Sequence, residues 1–314
     1  MNNIEISNHL VSIIMNCRNS QAYLRESLDS IYAQSYANWE IIFWDNASTD
    51  GSAAIARSYG AKLRYFKSEL SLTLGKARNL AMAQAKGQYL AFLDCDDIWL
   101  MQKLEKQVAI LECRNDIDFV YSNYFRLIMP KTDHLVLGLR GPQPEGDVFG
   151  RFLYNYPVNL QTVMLRADAI NKLGLKFDDQ FEVSEEFDFF MRILFKLKAF
   201  YINEPLAVYR VHQNMNSKKL LHKYPIEAKN ALDKLKRMDS SVKEKYASEL
   251  KYFEAKLGYW NAKVEMERCD SRSARASLKP FRFVDFKFFV LYICTYLPRI
   301  FWKLVHFYKM GGWF

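Results

Sequence analysis

The stretch QYLAFLDCDDIW, residues 88–99, sets an apolar run directly before three carboxylates, Asp94, Asp96 and Asp97. A short apolar run bounded by polar residues reads as a buried strand. Carboxylates packed this closely repel one another, and they persist where a cation, or a ligand carrying one, lies between them. Immediately upstream, GKARNLAMAQAKG (75–87) reads as a helix closed by Gly87 at its C-terminal end. Immediately downstream, LMQKLEKQVAILEC (100–113) reads as a second helix. Strands alternating with helices in this way predict a parallel sheet clad on both faces.

Working outward, the same alternation continues. LVSIIM (10–15) reads as a strand, and SQAYLRESLDSIYAQSY (20–36) as a helix with Tyr23, Leu24, Leu28, Ile31 and Tyr32 at helical spacing. WEIIFWD (39–45) is a strand ending at Asp45. NASTDGS (46–52) is a turn, in which Ser48, Thr49 or Asp50 can cap the following helix AAIARSY. KLRYFK (62–67) and DFVYSNYFRLIM (118–129) resume strand character. Polar residues thus fall where strands end, at Asn16, Asp45 and Asp94, and that edge of an open α/β sheet is where ligands bind. Neither a G-x-G-x-x-G nor a G-x-x-x-x-G-K-[ST] phosphate loop is present. A diphosphate bound here would need another means of neutralisation, and the Asp cluster acting through a divalent cation supplies one.

Beyond residue 122 the pattern loosens. GPQPEGDVFGRFLYNYP (141–157) carries three of the eight prolines and three of the twelve glycines, and reads as a mobile connection followed by a short helix. QTVMLRA (161–167) reads as a strand, EEFDFFMRILFKL (185–197) as an amphipathic helix with acid at its start, and AFYINEPLAVYRVH (199–212) as two extended pieces broken at Pro205. From about 218 to Pro280 the chain reads as helical and basic, a solvated hairpin.

Half of the 314 residues are hydrophobic, enough for one sizeable core or for a main domain with an appendage. Five scattered cysteines with no C-x-x-C pair argue against a disulfide framework or a structural zinc site and predict a reducing compartment. No basic region precedes the first apolar run, so no signal peptide is expected. No uncharged apolar run approaches the roughly 20 residues of a spanning helix. The formal charge of +9 is uneven: residues 217–314 carry 21 Lys and Arg against 10 Asp and Glu. In the last 34 residues, Arg299, Lys303 and His306 recur at helical spacing beside Ile300, Leu304, Phe307 and Tyr308, with Trp302 and Trp313 added. Cations on one side and aromatics on the other predict a helix lying in a membrane interface. Basic residues alternating with bulky aliphatics, with no recognition module, argue against nucleic acid.

Four segments, VSIIMNCRN, WEIIFWDNASTDGS, GKARNLAMAQAKGQYLAFLDCDDIW and EEFDFFMRILF, resemble in order and spacing the motifs of glycosyltransferase family 2, over residues 9–215. The resemblance implies the A-type glycosyltransferase fold: a Rossmann-like α/β mixed sheet with helices on both faces. It also implies inverting transfer from a nucleotide-diphosphate sugar, usually with Mn²⁺ or Mg²⁺. By resemblance, Asn16, Cys17 and Asn19 line the base pocket, although Asn16, Cys17 and Arg18 replace the family's usual Pro, small residue and aromatic. Asp45 matches the acid that hydrogen-bonds the nucleobase, commonly uracil, and Arg78 a position near the nucleotide. DCDD matches the Asp-x-Asp signature: Asp96 as metal ligand, Asp94 on the ribose or a metal-bound water, Asp97 orienting its neighbours, with Cys95 between them. The family's Glu-Asp is here Glu185-Glu186, which makes Glu186 the matching base and leaves Asp188 as the fallback. His212, after Tyr-Arg-x, lies where a histidine approaches metal or diphosphate, and Arg210 can pair with phosphate.

The expected organisation is a catalytic domain over 1–216, with a donor half (1–122) and an acceptor half (123–216). A helical region (217–280) and a basic amphipathic tail (281–314) follow. The expected partners are a UDP-sugar donor, or next a dTDP-sugar, and a glycan or lipid-linked acceptor of surface polysaccharide or lipopolysaccharide synthesis. An anionic membrane surface is expected at the tail, with the protein on the inner face of the cell membrane. Homo-oligomerisation stays open. So do two other readings, a non-catalytic sugar-nucleotide-binding relative and a sugar nucleotidyltransferase.

Overall fold

A computed structural model describes residues 8–129, 134–213 and 215–307. The chain divides into two compact units, Met1–Val148 with Pro157–Lys219, and Phe149–Tyr156 with Leu220–Phe314.

The first unit begins β1 (Val11–Cys17), α1 (Leu24–Tyr32), β2 (Trp39–Asp45), α2 (Ser52–Arg57), β3 (Leu63–Lys67), α3 (Leu74–Met82) and β4 (Tyr89–Phe92). Next come β5 (Ile98–Trp99), α4 (Lys103–Cys113), β6 (Phe119–Ile128) and β7 (Leu135–Leu137). After α5 (Phe149–Tyr154), which belongs to the second unit, the first resumes with β8 (Met164–Arg166), α6 (Ala167–Leu173), α7 (Glu185–Leu194), β9 (Ala199–Val211) and α8 (Asn216–Lys219). Among the described residues the strands form one sheet in the order β3-β2-β1-β4-β8-β6-β9-β5, with β7 on β6. The β3-β2-β1-β4 half is parallel. β8 then runs antiparallel to both β4 and β6, which makes the sheet mixed. Strands covered on both faces need continuous apolar sequence, and β1 and β2 are buried at nearly every position. In-register pairing sets Cys17 beside Asp45, so the polar strand ends share one edge.

Two local expectations are corrected. Gly87 does not close a helix: α3 ends at Met82, with a right-handed Ala83 after it. Gly87 instead passes so close to β1 that an added Cβ would lie 2.5 Å from the Leu10 carbonyl oxygen. Nor does Pro205 break the chain into two pieces, because β9 is one strand of 13 residues. Its pairing with β6 shifts register there, from Ser122↔Ile202 to Asn123↔Pro205. An irregularity of this kind accommodates a residue with no N–H to donate.

The second unit comprises α5, α9 (Tyr224–Met238), α10 (Ser241–Lys245), α11 (Ala247–Glu267), α12 (Ser271–Leu278), α13 (Phe286–Cys294) and α14 (Arg299–Phe307). It is not a solvated hairpin. Ala255, Tyr259, Ala262 and Met266 of α11 form a buried core with Ala274 and Leu278 of α12, Phe288, Leu291 and Cys294 of α13, and Trp302 of α14. Asp270 and Asp285 cap α12 and α13 by accepting from Ser273 N and Lys287 N, each at 2.9 Å. Tyr308 and Trp313 lie outside the described residues.

Candidate active site

At the carboxyl edge of the parallel half of the sheet, the segments after β1, β2 and β4 are tied together. After β1, Asn19 adopts a left-handed φ of 53°, which asparagine tolerates. Its side-chain carbonyl accepts from Thr49 N at 2.8 Å, and its own N–H donates to Ser48 Oγ at 3.0 Å. The β1 and β2 loops are thereby locked to each other. Cys95, after β4, donates its thiol to Asn16 O at 3.3 Å. The Cys95 thiol beside it holds Cys17 down to about 7, against the opposing effect of burial. Asn16 Nδ2 is buried with no partner among the described residues.

Asp45 is completely buried at the end of β2. Its Oδ1 accepts from Ser48 N at 2.8 Å and its Oδ2 from the Tyr65 hydroxyl at 2.5 Å. Burial first, and this carboxylate second, push the Tyr65 phenol up to about 12. The N-cap of α2 is Gly51 rather than Ser48, Thr49 or Asp50, and Asp50, just before it, accepts from Ser52 N at 3.0 Å.

The three acids after β4 do three different things. Asp97 is buried and accepts from Arg210 N at 2.8 Å. Burial, then Asp96 and Asp94, push its carboxyl well above the ordinary range. Ser27 of α1 donates to the carbonyls of Cys95 (2.9 Å) and Asp97 (2.6 Å), which fixes the turn's backbone. Asp96 points elsewhere, with Oδ2 2.9 Å from His212 Nε2. Asp94 turns to the opposite side, where Arg78 donates to it at 3.1 Å.

Arg78 links this cluster to α7. Its guanidinium is buried, and its other arm donates to Glu185 Oε1 at 2.6 Å. Arg78 is therefore no solvated helix charge. It joins the β4 turn to the acids that open α7. Glu185 is buried, which pushes its carboxyl up. Glu186 is partly exposed, and its carboxyl is pushed up to about 8, first by burial and then by Glu185. Asp188 is fully buried, and its Oδ2 accepts from Arg192 Nε at 3.0 Å and from Arg192 Nη2 at 2.6 Å. Arg192 also donates to Lys176 O at 2.5 Å. Asp188 thus holds Arg192, which ties α7 to the preceding segment, a setting unlike that of Glu186.

The sheet edge also holds partners that the sequence reading passed over. Tyr23, read as an apolar helix position, sits with its ring 4.9 Å from that of His212 and 5.0 Å from the Arg210 guanidinium. Glu26 pairs with Arg210 Nη2. Tyr23, Glu26 and Ser27 share one face at the start of α1, at i, i+3 and i+4. That spacing was visible, but nothing in it names the partner. Arg210 Nη1 and His212 Nδ1 are buried without partners among the described residues.

Among the described residues no group of three or more His, Cys, Asp or Glu side chains is assembled to hold a metal. The set present is smaller: the Asp96–His212 pair, with Asp94 held on the far side by Arg78. One or two carboxylates completed by substrate phosphates is how Mg²⁺ is usually bound, and imidazole suits Mn²⁺. His212 Nδ1 and Arg210 Nη1, which lack partners among the described residues, leave hydrogen-bonding capacity for a further ligand.

The profile of Glycosyl transferase family 2 matches residues 12–173. The UDP-Glc:α-D-GlcNAc-diphosphoundecaprenol β-1,3-glucosyltransferase WfgD of Escherichia coli is 30% identical over 173 residues, 55% of this chain and 66% of WfgD, just under two thirds of its length. WfaP of the same organism, with the same described activity, is 31% identical over 205 residues, 65% of this chain and 78% of WfaP. Among solved structures, S. aureus TarS 1–349 with UDP-GlcNAc superposes at a TM-score of 0.58 and 17% identity, covering 87% of this chain and 91% of that one. The mannosyltransferase PcManGT of Pyrobaculum calidifontis, with GDP-Man and Mn²⁺, superposes at 0.60 and 17%, covering 86% and 74%. The expected A-type fold is the fold of this sheet.

Proposed function

The chain belongs to glycosyltransferase family 2, and from that premise we propose that it transfers a sugar, with inversion, from a UDP-sugar to a hydroxyl of a lipid-linked glycan. One observation carries the reading. The acid turn after β4 is joined on one side through Arg78 to the α7 acids, and meets His212 on the other. A metal-diphosphate site and a base-bearing helix are thus tied together by a single buried guanidinium.

In this reading the nucleobase lies against the β1 and β2 loops near Asn16 and Asp45. Asp96 and His212 would hold Mn²⁺ or Mg²⁺, which when bound stabilises the leaving diphosphate as a Lewis acid, while Asp94 stays with Arg78. Arg210 offers its spare nitrogen to a phosphate. Glu186 takes the proton of the acceptor hydroxyl as that oxygen attacks the anomeric carbon. The bond to the diphosphate breaks, and the nucleoside diphosphate leaves with its electron pair. A carboxyl whose pKa is near 8 is a stronger base than an ordinary one, at the cost of being partly protonated at neutral pH. The diphosphoundecaprenol-linked substrate in the names of WfgD and WfaP supports the lipid-linked acceptor, and the inner face of the cell membrane is the working place that this reading assigns. No described helix is long and apolar enough to cross a membrane.

The test is a panel of nucleotide sugars with and without Mn²⁺, read by calorimetry and by release of free nucleoside diphosphate. Metal-dependent binding of a UDP-sugar with UDP release is expected. Pyrophosphate as product would identify a nucleotidyltransferase instead. Binding with no turnover on any lipid-linked acceptor would identify a non-catalytic relative.

A further inference from the structure

α13 and α14 each have two unlike faces. Phe288, Leu291 and Cys294 of α13, and Trp302 of α14, are buried in the second unit's core. The Trp302 ring stacks on that of Tyr259 at 6.5 Å. The opposite faces are bare. Phe286, Phe289 and Ile293 recur at i, i+3 and i+7 along α13, Tyr296 follows its end, and these are exposed, as are Ile300, Phe301 and Leu304 of α14. Phe283 and Phe286 are 78% and 75% exposed, and Ile300 61%. Soluble surfaces rarely expose so many large apolar groups on one short segment without something to cover them.

The charges around this face decide what covers it. Residues 271–307 carry seven Lys and Arg against one acid, Asp285, which is committed to capping α13. The cations border the aromatics directly: Arg282 lies 4.5 Å from the Phe283 ring centroid and Arg275 3.5 Å from that of Tyr296. A second copy meeting this face across a two-fold axis would set the same cations against themselves, which opposes association. An anionic lipid surface satisfies both features, with apolar burial below the headgroups and cations among them. The helices are nine residues each, far short of a span.

We propose that the exposed face of residues 282–304, centred on Phe283, Phe286, Tyr296 and Ile300 and flanked by Arg282 and Lys303, is a docking surface for an anionic bilayer. This extends the reading above by naming the surface that would bring the enzyme to a lipid-linked acceptor, but it stands on the second unit alone. Sedimentation of the full chain with vesicles tests it, using phosphatidylcholine alone and phosphatidylcholine mixed with phosphatidylglycerol. The wild type should sediment with the mixed vesicles, more weakly as salt rises but not to zero, because the apolar contribution survives screening. Phe283→Ser with Phe286→Ser should weaken partitioning about tenfold or more, with thermal melting and UDP release unchanged. Arg282→Glu with Lys303→Glu should abolish the preference for phosphatidylglycerol. Two results would overturn the proposal: wild type that ignores mixed vesicles at low salt, or a dimer in light scattering that the Phe283/Phe286 pair dissociates. Vesicle binding needs no donor, so a failed transferase assay leaves this result standing.

Discussion

In the proposed reaction, Asp96 and Glu186 are where single side chains decide chemistry. Asp96→Ala should abolish turnover and greatly weaken UDP-sugar binding in Mn²⁺ while the fold is retained, since Asp96 makes no buried structural bond like that of Asp97. Calorimetry at saturating metal checks this, and donor affinity equal to wild type would sink a metal-bridged diphosphate. Glu186→Gln should leave donor binding intact and lower acceptor-dependent turnover by about two to four orders of magnitude. In the wild type, kcat/KM should rise with pH through about 8, because the base works only when ionised. The same group affects stability in a definite direction. Its folded pKa lies above the ordinary 4.5, so between these values the folded state holds a proton that the unfolded chain has lost. Stability therefore falls as pH rises through that window. Melting curves should show Glu186→Gln gaining on wild type toward pH 8 and matching it below the window. A flat difference across pH would remove the raised pKa from the argument.

Between elements, two contacts hold the site in register. Arg78 ties α3 to the β4 turn and to α7, and it is buried. Arg78→Met would leave the Glu185 carboxylate buried without its cation, which costs about 3–5 kcal/mol for a broken buried pair. Urea midpoints should show that loss, and adding Glu185→Gln should recover a large part of it. An Arg78→Met midpoint within error of wild type would mean that the ion pair is not formed in solution. Gly87 sets the approach of the segment before β4 to β1. Gly87→Ala should therefore destabilise by about 1–3 kcal/mol as backbones shift apart, measurable by the same titration. No loss would mean that the close approach is not a constraint. Neither contact was written in the sequence as such. Gly87 read as a helix stop because glycine commonly follows helices. Its real constraint is the Leu10 carbonyl, 77 positions away along the chain.

At the scale of the whole molecule, α13 and α14 are built into the second unit. Phe288, Leu291, Cys294 and Trp302 complete the core that α11 and α12 begin. Deleting residues 281–314 should therefore give aggregated or poorly folded protein, read by solubility and by loss of a cooperative melt. A soluble deletion variant with wild-type melting would show that α13 and α14 are not needed for that core. The sequence by itself determined the alternating strands and helices of the first unit, because strands buried on both faces must be continuously apolar. It also determined which strand ends carry acids, since polar side chains cannot continue into that layer. It fixed the basic excess of the last third, which is a matter of counting. Only the tertiary structure decided that β9 runs unbroken past Pro205, because the bulge depends on the partner strand. Only it showed that Arg78 spans two motifs, that Asp188 is spent on Arg192, and that Tyr23 and Glu26 meet Arg210. These pairings join residues as far as 184 positions apart, and local pattern holds no information about which distant side chain a closed sheet edge brings into contact.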